Sequence, residues 1–250
     1  MISPQLMNSA LDIHGPKVVF TIPYINVDIT ESVVIGWLLI VVIAVLCKFL
    51  SHNLKVKPET KRQVIAEYAV EFVNKSVRTS MGEKYMCYAP YIATLLVYAA
   101  LGSLVSLLGL RSMTADVNVT IAWALITFVL IEYTKFKNKG FLGFFKSFTE
   151  PVAVITPINI ISEVATPVSM AFRLFGNVAG GMVITGIIYM GLGALSELLH
   201  ISFGIGGFTV NVASVGIPGI LSIYFDLFVG CVQAYIFATL TMVNVAGAAD

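Results

Sequence analysis

From Val33 to Cys47 the chain runs through an unbroken apolar stretch, and blocks of this kind recur along most of its 250 residues. A membrane β-barrel would instead show segments of roughly 10 residues alternating apolar with polar, so the blocks read as membrane helices. Only 12% of the residues are charged, against roughly 25% in an average soluble domain, and this excludes an ordinary soluble globular fold. The 15 Lys+Arg nearly cancel the 14 Asp+Glu, which leaves no basic field for nucleic acid and no acidic tail. Cys47, Cys87 and Cys231 each sit in an apolar stretch without a second ligand nearby. They read as packing residues, and neither a disulfide framework, a metal site nor a cofactor is suggested.

The expected fold is all-α and polytopic, a single membrane domain over 1–250 with about five membrane helices, one interfacial amphipathic helix and a long tilted C-terminal hairpin. Residues 1–32 mix polar residues with Pro4, Pro16 and Pro23, lack a signal-peptide pattern and read as an extracytoplasmic segment. Residues 33–50 predict the first span. Over 55–84, Ile65, Ala69, Phe72 and Val73 recur at helical spacing, with Glu67, Glu71, Asn74 and Arg78 opposite. This predicts an interfacial helix, or alternatively one packed on a soluble partner. Within 86–134, the spans 86–110 and 119–134 predict an antiparallel pair joined by the polar loop Arg111–Asn118. A Lys-rich loop (Lys135, Lys137, Lys139, Lys146) then leads into 150–247, the tilted hairpin, with a Gly-rich connection at 202–207. One continuous helix over Ile158–Leu195 is about 57 Å long against a hydrocarbon core of about 30 Å, so it must tilt or lie partly along the membrane. Of the 15 Lys+Arg, eight lie in 48–84 and four in 135–146. The positive-inside rule puts both groups in the cytoplasm, the N-terminus and the 111–118 loop outside and, after five crossings, the C-terminus inside.

After Lys146 a single Lys or Arg remains, Arg173, in the middle of the tilted segment. An arginine there costs about 2.5 to 3.5 kcal/mol on insertion scales, and such residues usually face a pathway or a counter-charge; snorkelling or a structural ion pair is the alternative. On a helix Arg173 shares its face with Ser169 and Asn177, and more distantly with Thr166 and Gly180. Gly176 and Gly180 flatten that face, for a mobile partner or for ordinary helix packing. Upstream, Asn159, Ser162 and Glu163 form a polar cluster that reads either as an aqueous step or as helix-end solvation after Pro157. In the last segment Asp226 and Gln233 stand seven apart, with Ser222 one turn before and Asn244 beyond. Asp226 reads either as a proton-exchanging carboxylate in apolar surroundings or as a salt-bridge partner of Arg173.

The strings PVSMAFRLFGNVAG, TADVNVT and VQAYIFATLT resemble subunit a of the F-type ATP synthase, the stationary channel subunit of its membrane sector, and the match covers about Val33 to Val245. The resemblance implies two offset aqueous half-channels, each open to one side of the membrane, past which a ring of c subunits turns. Arg173 matches the essential arginine that draws the ion off each passing carboxylate and blocks direct flow. Asn177, Asp226 and Gln233 match the half-channel from outside, with Asp116 near its mouth, and Ser162, Glu163 and Asn159 match the cytoplasmic exit. The implied partners are the c-ring, the b subunits, the lipid bilayer and, indirectly, the catalytic head; the location is a bacterial plasma membrane. The subunit itself hydrolyses nothing. Three positions depart from the family pattern: Met182 and Asp226, where many relatives place Glu or His, and Thr166, where a basic residue commonly precedes the proline. A secondary transporter would call for an internal repeat, and an intramembrane enzyme for a nucleophile with its base; Ser222 near Asp226 lacks a candidate histidine.

Overall fold

The computed structural model describes residues 17–23, 27–52, 54–55, 60–108, 110–149, 153–199, 203–205, 208–210, 221 and 223–248. Among these described residues, five helices are long and apolar enough to cross a membrane. Helix α1 (Glu31–Leu50) follows a short antiparallel hairpin of β1 (Val18–Ile22) and β2 (Val27–Thr30), in which Thr21 Oγ1 donates to Asp28 Oδ1 at 2.7 Å. The N-terminal polar segment gave no strand signal, because it lacks sustained alternation. Helix α2 (Lys61–Met81) ends at Gly82, whose φ of 84° is the left-handed conformation that stops helices. After a 3-10 turn (Glu83–Tyr88) come α3 (Ala89–Leu104) and α4 (Val117–Thr149). Helix α5 (Thr156–Leu199) is 44 residues long, about 66 Å at 1.5 Å per residue. The Gly-rich connection contains a small hairpin of β3 (Phe203–Ile205) and β4 (Phe208–Val210). The last element winds as a π-helix over Ile223–Val229 before continuing as α6 (Gly230–Gly247).

Three apolar layers hold these helices together. At one end Val73, Val77 and Met81 of α2 pack with Ala89 and Ile92 of α3, Ile131 of α4, and Ala238, Met242 and Val245 of α6. The middle layer joins Ala124 of α4 and Met170, Ala171 and Leu174 of α5 to Phe237 of α6. At the other end Ile35 and Leu39 of α1 meet Val105 and Met113. The residues of α2 that the sequence grouped as apolar divide accordingly. Val73 is in the core, whereas Ile65 and Phe72 stay exposed, a face suited to lipid or another subunit.

The stretch read as a Lys-rich loop is instead helical. Helix α4 carries on through Lys135, Lys137 and Lys139 and bends at Gly140 (φ 68°, ψ 178°) before closing with Lys146 in its last turn. Charge marked the stretch as outside the bilayer, but Phe136, Phe141, Phe144, Phe145 and Phe148 stack along it and keep it ordered. Helices α3 and α4 run antiparallel and touch through hydroxyls. Tyr88 Oη and Thr134 Oγ1 are 2.9 Å apart, and Tyr91 Oη and Thr127 Oγ1 3.4 Å, so the buried Thr127 and Thr134, seven apart on α4, find partners on α3 and on the turn just before it.

Candidate functional site

Helix α5 packs on the chain along one side only. Met170, Ala171 and Leu174 are buried, while Ser169, Phe172, Arg173 and Gly176 all lie exposed. Its membrane-length window is 12% buried, the least of the five, where the others range from 17% to 28%. Among the described residues Arg173 has no hydrogen bond or ion pair, so the salt bridge to Asp226 does not form within this chain. Lipid is a costly neighbour for a guanidinium, so an exposed arginine on a membrane-length helix calls for polar surroundings.

The glycines of α5 divide by role. Among the described residues a Cβ at Gly176 or Gly180 would meet nothing within 4 Å, which leaves a smooth surface on that side of the helix. A Cβ at Gly181 would lie 3.3 Å from Phe225, so it is Gly181 that lets the π segment seat against α5. Sequence reasoning singled out Gly176 and Gly180 and passed over Gly181, the one whose neighbour is within the chain.

Helix α6 runs antiparallel to α5, with Phe225 at the level of Gly181, Phe237 in the same cluster as Leu174, and Asn244 Nδ2 3.6 Å from Met170 Sδ. Interpolation along this pairing puts Gln233 at the depth of Asn177, and both are half-buried. Asp226, next to Phe225, is half-buried at the depth of Gly181. The π winding lies between Asp226 and Gln233, so their spacing of seven is not two α-turns, and the wider turn rotates Asp226 away from the face that α-periodicity assigns to it.

Below Arg173 a cavity of about 260 Å³ lies between α4, α5 and α6. Ser162, Glu163 and Thr166 line it from α5, Lys135 and Lys139 from α4, and Asn244 from α6. Lys135 Nζ donates to Glu163 Oε1 at 2.8 Å. Asn159 does not line this cavity; its Nδ2 donates to the backbone oxygen of Phe148 at 2.9 Å and pins the turn between α4 and α5. Lys135 was hidden from sequence reading because it counted as a loop charge, and Glu132 beside it was not singled out. Their spacing of three, one helical turn, was the available signal.

Asp116 is buried at the other end of the bundle. It caps α4: its Oδ1 accepts the Asn118 N–H at 3.0 Å, and its carbonyl accepts the Thr120 N–H at 3.2 Å. Ser112 and Thr114 pack beside it, with their hydroxyls 2.8 Å apart. Asp116→Ala should therefore cost about 1 kcal/mol of helix stability, read as a lower thermal midpoint in detergent. A midpoint equal to wild type would show that the cap carries no weight.

A family profile described as "ATP synthase A chain" matches residues 33–246. The chain belongs to that family. Its relatives include "ATP synthase subunit a, sodium ion specific" of Propionigenium modestum, 30% identical over 94% of this chain and 85% of the relative. The chain is also 26% identical to "ATP synthase subunit a 1" of Crocosphaera subtropica, over 88% of this chain and 87% of the relative. "ATP synthase subunit a" of Bacillus pumilus is 31% identical over 88% of this chain and 91% of the relative. Membership makes the chain an ion-channel subunit of the synthase membrane sector, and its five membrane-length helices make it a multi-pass membrane protein.

Proposed function

We propose that Arg173 separates two half-channels and meets the carboxylates of a rotating c-ring on the uncovered face of α5. The observation that carries this reading is the order of groups along α5: Asp226 at the level of Gly181, then Asn177 with Gln233, then Arg173, then the cavity at Thr166, Glu163 and Ser162. From Gly181 to Ser162 the helix covers about 28 Å along its own axis, and Arg173 falls near the middle of that stretch. A fixed guanidinium favours the ionised form of a ring carboxylate beside it, and on either side of Arg173 an aqueous step can reload that carboxylate before it faces lipid. Asp226, Asn177 and Gln233 form the outer path, with Asp116 fixing the outer end of α4; Ser162 and Glu163 form the cytoplasmic path, and Asn159 shapes its lower turn. The ion is H⁺ or Na⁺, with the binding carboxylate on the ring.

The chain carries no catalytic group of its own in this reading, and ATP chemistry belongs to the catalytic head. The exposed faces of α1 and α2 are offered to lipid and to the b subunits, in a bacterial plasma membrane with the N-terminus outside and the C-terminus cytoplasmic. Residues 1–32 are then extracytoplasmic and 150–247 the translocating hairpin.

The test is Ser162→Cys in a background with Cys47, Cys87 and Cys231 replaced by alanine. A water-soluble thiol reagent added to the cytoplasmic face should label it and block ATP-driven pumping in inverted vesicles. Complete labelling with pumping unchanged would remove the cavity from the ion path.

A further inference from the structure

Two carboxylates share one ammonium at the cavity beside Ser162. Lys135 is buried; its Nζ bonds Glu163 Oε1 at 2.8 Å and rests 4.4 Å from the ring centroid of Phe148 and 5.7 Å from that of Phe144. Glu132 stands one turn earlier on α4, its carboxyl in hydrogen-bonding contact with that of Glu163 and within the field of Lys135, and its Oε1 is buried with no donor among the described residues. A buried carboxylate oxygen left unpaired is costly, and a flexible ammonium one turn away is the group able to satisfy it. The two phenylalanine rings can hold the Lys135 stem whichever carboxylate its head bonds. The other groups facing the cavity are Lys139 from α4, Ser162 and Thr166 from α5, and the uncharged Asn244, Gly247 and Ala248 from α6.

We propose that Lys135 is a two-position switch, bonded to Glu163 while that carboxylate is empty and moving to Glu132 when a translocated cation occupies Glu163. A bound H⁺ or Na⁺ adds one positive charge at Glu163, and the move of the ammonium to Glu132 takes its own charge away from that ion, while Lys139 stays at the cavity wall throughout. Release of the ion returns Lys135 to Glu163, and no covalent bond changes. Glu163 is the ion carrier; Lys135 and Glu132 are positioning residues that keep the passing charge compensated. The switch rests on the cavity being the cytoplasmic ion path.

The experiment uses the assembled complex in inverted vesicles at saturating ATP, with the ion concentration on the cytoplasmic face varied. Lys135→Met removes the ammonium that competes with the ion for Glu163, so the half-saturating ion concentration should fall roughly tenfold. Glu132→Gln leaves the ammonium nowhere else to go, so it competes harder with the ion and the value should rise roughly tenfold. Lys135→Arg should stay near wild type. Opposite shifts at normal assembly support the switch, and unchanged values or shifts in one direction overturn it. Failure of the Ser162→Cys block instead removes the cavity from the ion path, a separate result that takes the switch with it.

Discussion

Arg173→Ala should abolish ATP-driven ion pumping in inverted vesicles while the complex assembles normally. The residue has no partner among the described residues, so removing it breaks no internal bond of the chain and should leave the fold intact. What is lost is the charge that the uncovered face presents. Removing one partner of a buried ion pair costs about 3 to 5 kcal/mol, and a loss of that size in the ion-transfer step slows it by about 100-fold or more. Passive ion leak should appear once the catalytic head is stripped, because the barrier between the aqueous paths is gone. Arg173→Lys keeps the charge but not the planar fork, and should retain the barrier with reduced pumping. Pumping by Arg173→Ala at the wild-type rate would reduce the residue to a membrane anchor.

Gly230→Val should remove the subunit from the assembled complex. A Cβ at Gly230 would lie 2.8 Å from the Cβ of Ser103, which sits near the backbone of α3 and cannot swing aside. The contact lies at the start of α6, whose Ala234 and Ala238 are buried on following turns, a stripe of small residues that lets the two helices approach closely. Overpacking a site of this kind costs typically about 1 to 3 kcal/mol, and a helix pushed out here also displaces the π segment that carries Asp226. Gly191→Val is the control, since a Cβ there meets nothing within 4 Å, and it should assemble normally. Immunodetection of the subunit in purified complex decides the matter, and equal amounts in both variants would contradict the packing argument.

The helices were legible because length and apolar content are set by bilayer thickness, a constraint local to each segment. Helix α1 is the plainest instance, observed over Glu31–Leu50 where 33–50 was predicted. The continuation of α4 past Thr134 was not legible, because positive charge marks the side of the membrane but not where a helix stops. Arg173 stood out from the sequence since a lone intramembrane cation is expensive, and Ser162 and Glu163 followed from their place on the same helix. Lys135 and Glu132 were not legible as site residues: they reach the cavity only through the packing of α4 on α5, a contact with no signature in either helix alone. The same holds for Gly181, whose role depends on a phenylalanine 44 residues further along, and for Asp226, whose direction is set by a π winding that apolar periodicity does not reveal.

In the proposed mechanism the face bearing Ser169, Arg173 and Gly176 lies against the moving ring. Disulfide cross-linking to a cysteine placed on the outer helix of the ring, beside its ion-binding carboxylate, tests this most directly. In a background without Cys47, Cys87 and Cys231, Ser169→Cys and Gly176→Cys should cross-link under mild oxidation and stop ATP-driven pumping until reduced. Ala171→Cys, buried on the opposite side against α4, should not cross-link. Cross-linking from Ala171→Cys, with none from Ser169→Cys or Gly176→Cys, would turn the helix around and contradict the mechanism.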